Sequence, residues 1–380
     1  MKKILILIGM AFFIANESKA QNNQIDSLTF STEKGLLIFE GYLNGVKTDF
    51  AFDTGAGVGV LNNTIIPNAK IEIKGTRKIN DSQKKTAKLD NAKIANLKIG
   101  SYNFPDLTSV VADMPFLYCN KTYLLGGDII NLLNWMFDFQ KNIVYFSKTP
   151  FAPQSNMRQM PFKIIGNRHF SNLVIQGTPL DSVLIDFGYA GNCTLDAAVK
   201  STKQIIAKVS PDNIYQSKSS SMGINSMSVG KETKAFFVDS VIFGGVAFNN
   251  FKINALASTH NKIGLLFFKK NFNQMILNNT ELSYWLLPNN ITPQKPTSFD
   301  AGFYFNDNRK IEVVSVNGSL NHTAKTLGIG ETIKELNGRS PKSFADKCEF
   351  LAWYAEQIKQ QELSVTKDSG ERLIIKKSIF

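Results

Sequence analysis

The stretch "FAFDTGAG" at 50–57 decides how the rest of the chain is read. An apolar strand run ends on Asp53, and Thr54, Gly55 and Gly57 follow. The strand fixes the backbone, and the glycines permit a tight turn that brings the carboxylate outward. Thr54 offers a hydroxyl for interlocking with a neighbouring segment. Further along, "VLIDFGYAG" at 183–191 repeats the strand, the carboxylate (Asp186) and the glycine (Gly188), with Phe187 in the threonine's place.

The repetition extends beyond these two turns. "LLIFEGYLNGVKTDFAFDTGAGVGVLNN" at 36–63 runs strand, Asn44-Gly45 turn, strand, Asp53, glycine-rich turn, strand. "FSNLVIQGTPLDSVLIDFGYAGNCTLD" at 170–196 runs through the same events around Gly177 and Asp186. Later, "YLLGGDIINLLNWMFDFQKNIVYFS" at 123–147 and "KIGLLFFKKNFNQMILNNTELSYWLL" at 262–287 each give a strand, a glycine (Gly126, Gly264), a short helix and two strands. Asp53 and Asp186 are 133 residues apart, and Gly126 and Gly264 are 138 apart. A near-constant offset at two landmarks marks a duplication. The predicted fold is mainly β, with duplicated lobes at 21–155 and 156–290. The proline-bearing stretch 288–300 reads as a linker, and a small α+β module is predicted over 298–380.

The envelope of the chain is consistent with export. Lys2 and Lys3, an apolar run from Ile4 to Ala15, and Ser18 and Ala20 before Gln21 have the layout of a secretory signal peptide over residues 1–20. That run is short for a bilayer span, and no later segment is long and apolar enough. A periplasmic or extracellular bacterial protein is expected. Three cysteines (119, 193, 348) without metal-ligand spacing argue against a disulfide framework, so buried thiols are expected. Histidines 169, 260 and 322 are not spaced to share a metal, and neither metal nor cofactor is expected. The formal charge of +12 concentrates at 70–98, which reads as a solvated hairpin. With no recognisable binding module, nucleic acid is not an expected partner.

Other motifs fail on their surroundings. Asp186-Phe187-Gly188 alone spells the metal-binding motif of protein kinases, but the other kinase elements are missing. "GAGVGVL" lacks the glycine and the following helix of a dinucleotide loop. A pair of aspartates meeting about a pseudo-twofold axis, by contrast, is a device for amide hydrolysis. Two close carboxylates share a proton; one activates a water while the other, protonated, polarises the peptide carbonyl.

Here the sequence resembles a known family. Asp53-Thr54-Gly55-Ala56, "YLLGGD" at 123–128 and "FDFQKNIVYF" at 137–146 are similar to one lobe of a retropepsin-like aspartic protease. More narrowly, the chain resembles exported bacterial aspartyl proteases in which two such lobes precede a PDZ domain. "NGSLNHTAKTLGIGETIKELNG" at 317–338 carries the PDZ likeness. The resemblance implies catalytic Asp53 and Asp186, support from Thr54, Gly55 and Gly188, and a polypeptide substrate. With both aspartates in one chain, a monomer suffices. It also implies a peptide C-terminus captured at "AGFYF", with Gly302, Phe303 and Tyr304 as candidates. Flap hairpins are placed near 75–83 and 221–229. Phe187 departs from the family's threonine and cannot make the cross-lobe hydroxyl bond; its ring is expected in the apolar core or lining the cleft. A non-catalytic peptide-binding or scaffold protein is the alternative that Phe187 and the tail leave open.

Overall fold

The computed structural model describes residues 24–81, 85–225, 227–289, 297–318 and 325–379. The signal-peptide reading at 1–20, Gln83 of the first flap, His322, Pro293 and Pro296 of the linker, and 319–324 of the PDZ-like stretch lie outside them. Among the described residues no helix is long and apolar enough to cross a membrane.

The chain is mainly β. Each lobe begins from the same local chemistry. Asn44-Gly45 and Gln176-Gly177 all have positive φ, the geometry of a two-residue hairpin turn whose twist matches its strands. In the first lobe this turn pairs Ile38–Leu43 with Val46–Phe52. In the second it pairs Arg168–Ile175 with Thr178–Asp186. Each second strand then accepts a parallel neighbour from later in its own lobe. Phe52 lies opposite Leu125, and Asp186 opposite Gly264. Each lobe thereby delivers an aspartate beside a glycine at the end of a buried strand.

The lobes join through a shared floor. Asn134–Asp138 of the first pairs antiparallel with Phe272–Asn278 of the second, Phe137 opposite Met275. Ile143–Ser147 and Asp26–Ser31 extend the floor on one side, and Ser283–Pro288 and Arg158–Pro161 on the other. One hydrophobic core runs through both lobes and includes Phe52, Trp135, Phe137, Phe187, Phe268 and Tyr284.

Each lobe also raises a long hairpin. Glu72–Asn80 pairs with Thr86–Ile99, and Ile214–Met222 with Met227–Val238. The lysines of the first hairpin, among them Lys74, Lys78, Lys88 and Lys93, are exposed. The hairpin tips meet: Asn225 Nδ2 donates to Ile79 O (3.3 Å) and Lys85 O (3.2 Å). Met222 and Ile224 pack on the first lobe's cluster of Leu36, Val60, Met114 and Leu117.

Residues from Thr297 onward form an α+β module with its own core, including Phe303, Phe305, Ile333, Phe350 and Val365. Its helix Lys347–Gln357 is capped by Asp346, whose Oδ1 accepts from Glu349 N at 2.9 Å. The module extends the second lobe's hairpin: Val316 pairs with Lys218, and Gly318 N donates to Ser217 Oγ at 2.8 Å.

The expectation of free thiols is corrected here. Cys119 and Cys348 form a disulfide with Cα atoms 5.1 Å apart, leaving only Cys193 as a buried thiol. Cys119 ends the short helix Pro115–Asn120 of the first lobe, and Cys348 begins the module's helix. The partners are 229 residues apart in sequence. Only the packing of the module against the first lobe reveals them as a pair.

Candidate active site

Asp53 leaves its strand with its N–H donated to Leu125 O at 3.0 Å. Its Oδ1 accepts from Gly55 N (2.8 Å) and Ala56 N (3.2 Å) in its own turn, and from Gly188 N (3.1 Å) across the lobe boundary. The glycines are required by space. A Cβ on Gly55 would lie 2.5 Å from Asp186 Oδ1, and one on Gly188 would collide with the Asp53 carboxylate. Each carboxylate is seated in the other lobe's glycine turn, and both aspartates are buried. Burial first, and then the charge of Asp186, push Asp53 up to about 7. The N–H groups of Gly55 and Gly188 and the charge of Lys262 act in the opposite direction.

Thr54 and Phe187 stand at equivalent places and do different work. Thr54 is fully buried; its hydroxyl donates to Ile185 O at 2.6 Å and accepts from Phe187 N at 3.3 Å. The Phe187 ring has no such bond to make and lies in the core between the lobes. It stacks on Phe268 at 4.9 Å and Phe137 at 6.2 Å, and meets Phe52 edge-on at 5.8 Å. The aspartates are therefore not wedged apart by it.

A residue that sequence reasoning passed over completes the site. Lys262 Nζ lies 3.1 Å from Asp186 Oδ2 and 4.3 Å over the Tyr189 ring. Burial opposes its charge, but the attraction of Asp186 and Tyr189 outweighs this and raises its pKa, so it is an ammonium at neutral pH. The signal was in the duplication. Leu124 and Leu125 precede Gly126, whereas Lys262 and Ile263 precede Gly264, so a lysine interrupts an apolar strand.

The dyad thus gathers Asp53, Asp186, Thr54, Gly55 and Gly188 in one place. Gly302, Phe303 and Tyr304 lie elsewhere, on the module strand Ala301–Phe305, which pairs with Ile311–Val316. Phe303 N donates to Tyr354 Oη at 3.3 Å, and Phe303 is buried in the module core.

Residues 39–131 match the family model of the gag-polyprotein putative aspartyl protease, a span that includes Asp53, Thr54, Gly55 and Gly126. An aspartyl protease domain is what this stretch of the chain is similar to. Two solved structures are similar to the chain over parts of its length. A retropepsin-like aspartic protease from Rickettsia conorii is 18% identical over 32% of this chain and 90% of its own, with a TM-score of 0.26. The aspartic proteinase from Irpex lacteus is 11% identical over 71% of this chain and 98% of its own, with a TM-score of 0.41. No curated protein matches the sequence.

Proposed function

We propose that the chain is an aspartic endopeptidase in which Asp53 and Asp186 together activate a water against a peptide bond. The observation that carries this reading is the mutual seating of the two carboxylates, each in the other lobe's glycine turn. Asp186, as carboxylate, takes a proton from the water, whose oxygen bonds to the carbonyl carbon. Asp53, protonated, gives its proton to the carbonyl oxygen. Collapse of the resulting diol breaks the C–N bond: Asp186 returns its proton to the leaving nitrogen, and Asp53 recovers one from the diol. An extended segment between the dyad and the hairpin tips is the substrate form this geometry favours.

Three further readings belong to the same proposal. Export to the periplasm or outside the cell is supported by the leader-like first residues and by the Cys119–Cys348 disulfide, a bond that persists in oxidising compartments. A monomer is sufficient, because one chain supplies both aspartates. The module is PDZ-like and takes a peptide C-terminus near Gly302, Phe303 and Tyr304; support comes from a strand whose hydrogen-bonded partner is Ile311–Val316. A peptide there has to displace the Tyr354 hydroxyl from Phe303 N.

The competing reading is a lobe pair that binds peptides without cutting them, and the ion pair that occupies Asp186 Oδ2 favours it. Incubation with a mixed peptide library between acidic and neutral pH decides. Cleavage lost in Asp53→Asn and Asp186→Asn, with unchanged circular dichroism, is the expected result. Binding without cleavage by the native protein, at every pH, establishes the competing reading.

A further inference from the structure

Lys262 occupies a place where charge is not needed for packing. Strand register makes it the counterpart of Leu124: Leu124 lies opposite Ala51, two residues before Asp53, and Lys262 lies opposite Leu184, two residues before Asp186. The first lobe fills this place with a buried leucine. In the second lobe the lysine side chain is only 17% exposed, so holding an ammonium there carries a desolvation cost. Buried ion pairs are often no more stabilising than well-packed apolar groups of the same volume. Stability alone therefore gives no reason to prefer lysine here. The charge acts on something, and the group it touches is one half of the dyad.

We propose that Lys262 is a positioning residue of the dyad: its ammonium, held against Asp186 Oδ2 and the face of Tyr189, fixes Asp186 as the carboxylate of the pair and leaves the shared proton on Asp53. This rests on the catalytic reading of the two aspartates given above. Gly188 N, the amide two residues after Asp186, donates to Asp53 Oδ1 and favours charge there, so the preference for Asp186 as the carboxylate has to come from the ammonium. The singly protonated dyad carries one negative charge, which the ammonium balances, so the buried cluster is neutral in its working state.

The charged and titratable groups around this cluster are few. Asp186 and Tyr189 face Lys262 from the second lobe, and Asp53 acts on it from the first. On its own segment His260 lies two residues away, with Arg168 Nη1 3.3 Å from its Nε2. Burial first, and then Arg168 and Lys262, act against charge on that imidazole, and Asp186 and Asp196 favour it. Of these groups Lys262 is the cation in contact with the dyad.

The consequence is a sign that can be measured. Removing the positive charge lets Asp53 hold its proton to higher pH, so the alkaline limb of kcat/KM moves up. Lys262→Met is expected to move that limb upward by about one pH unit, and Lys262→Arg to leave it in place. Lys262→Gln serves as the second neutral variant if the methionine protein does not fold. The midpoint of the Asp53 carboxyl, read by its carbon-13 resonance, gives the same test without any cleavage. An upward shift of that midpoint in the neutral variants supports the assignment; an unchanged midpoint overturns it. A shifted midpoint in a protein that never cleaves peptides overturns the catalytic reading and leaves the charge assignment standing.

Discussion

The two carboxylate turns of this protein have one backbone plan and two chemistries. In the first lobe Asp53 is followed by a threonine whose hydroxyl ties across to Ile185 O, and leucine fills the neighbouring strand. In the second lobe Asp186 is followed by a phenylalanine stacked on Phe268, and lysine takes the leucine's place. What the lobes keep in common is what geometry demands: a carboxylate at a strand end, a glycine where the other carboxylate sits, and a parallel neighbour strand. What they do not share is how the turn is held. A single hydroxyl bridges the boundary from one side, and aromatic packing does so from the other. The difference teaches that one half of such a paired site can be held by a hydroxyl bond and the other by aromatic packing.

The comparison breaks most visibly at the glycines. Gly188→Ala places a methyl group against the Asp53 carboxylate. Peptide cleavage by the folded protein is expected to fall on the order of a thousandfold, as measured by turnover of a quenched peptide; undiminished turnover removes the mutual seating as the basis of catalysis. Phe187→Ala removes a ring packed on both lobes and is expected to cost about 3–5 kcal/mol in chemical denaturation. Phe187→Thr leaves a smaller cavity and is expected to lower stability while keeping or raising activity per folded molecule. Thr54→Val deletes a buried donor and is expected to cost about 1–3 kcal/mol. A Thr54→Val loss larger than that of Phe187→Ala makes the hydroxyl, not the ring, the main tie between the turns.

The most gradual effect is a slope. Asp53 is raised in the folded state to about 7, so the fold binds a proton there more tightly than the unfolded chain does. That contribution is present in full below about pH 4 and is lost as pH rises through the folded value. Asp53→Asn lacks it. The native protein is therefore expected to lose stability relative to Asp53→Asn between about pH 4 and pH 7, by no more than about 1.4 kcal/mol per pH unit. Parallel stability curves for the two proteins across that window contradict the raised value.

Much of this architecture is legible in the order of the residues alone. Asn44-Gly45, the alternating run before Asp53 and the recurrence of both around Gly177 and Asp186 point to hairpins and a mainly β chain, because local turn chemistry and strand period are written in consecutive residues. The meeting of Asp53 with Asp186 follows from the duplication. Features made by distant residues are not legible in this way. Cys119 and Cys348 sit on unrelated helices, and nothing in their spacing announces a bond. The pairing of Lys218 with Val316 joins segments whose patterns are complete without each other. Lys262 is legible in principle, as a charge in an apolar strand, but only after the two lobes are aligned strand by strand.

The disulfide has a consequence for a protein read as a peptidase, which is exposed to its own activity. It closes the chain into a covalent ring from Cys119 to Cys348 that contains the whole second lobe and the start of the third module. One cut anywhere within that ring opens it without separating the pieces. The nicked molecule keeps its full mass on a non-reducing gel and falls into two fragments only when the sulfurs are reduced. Damage in this region is therefore retained and held in register instead of shed.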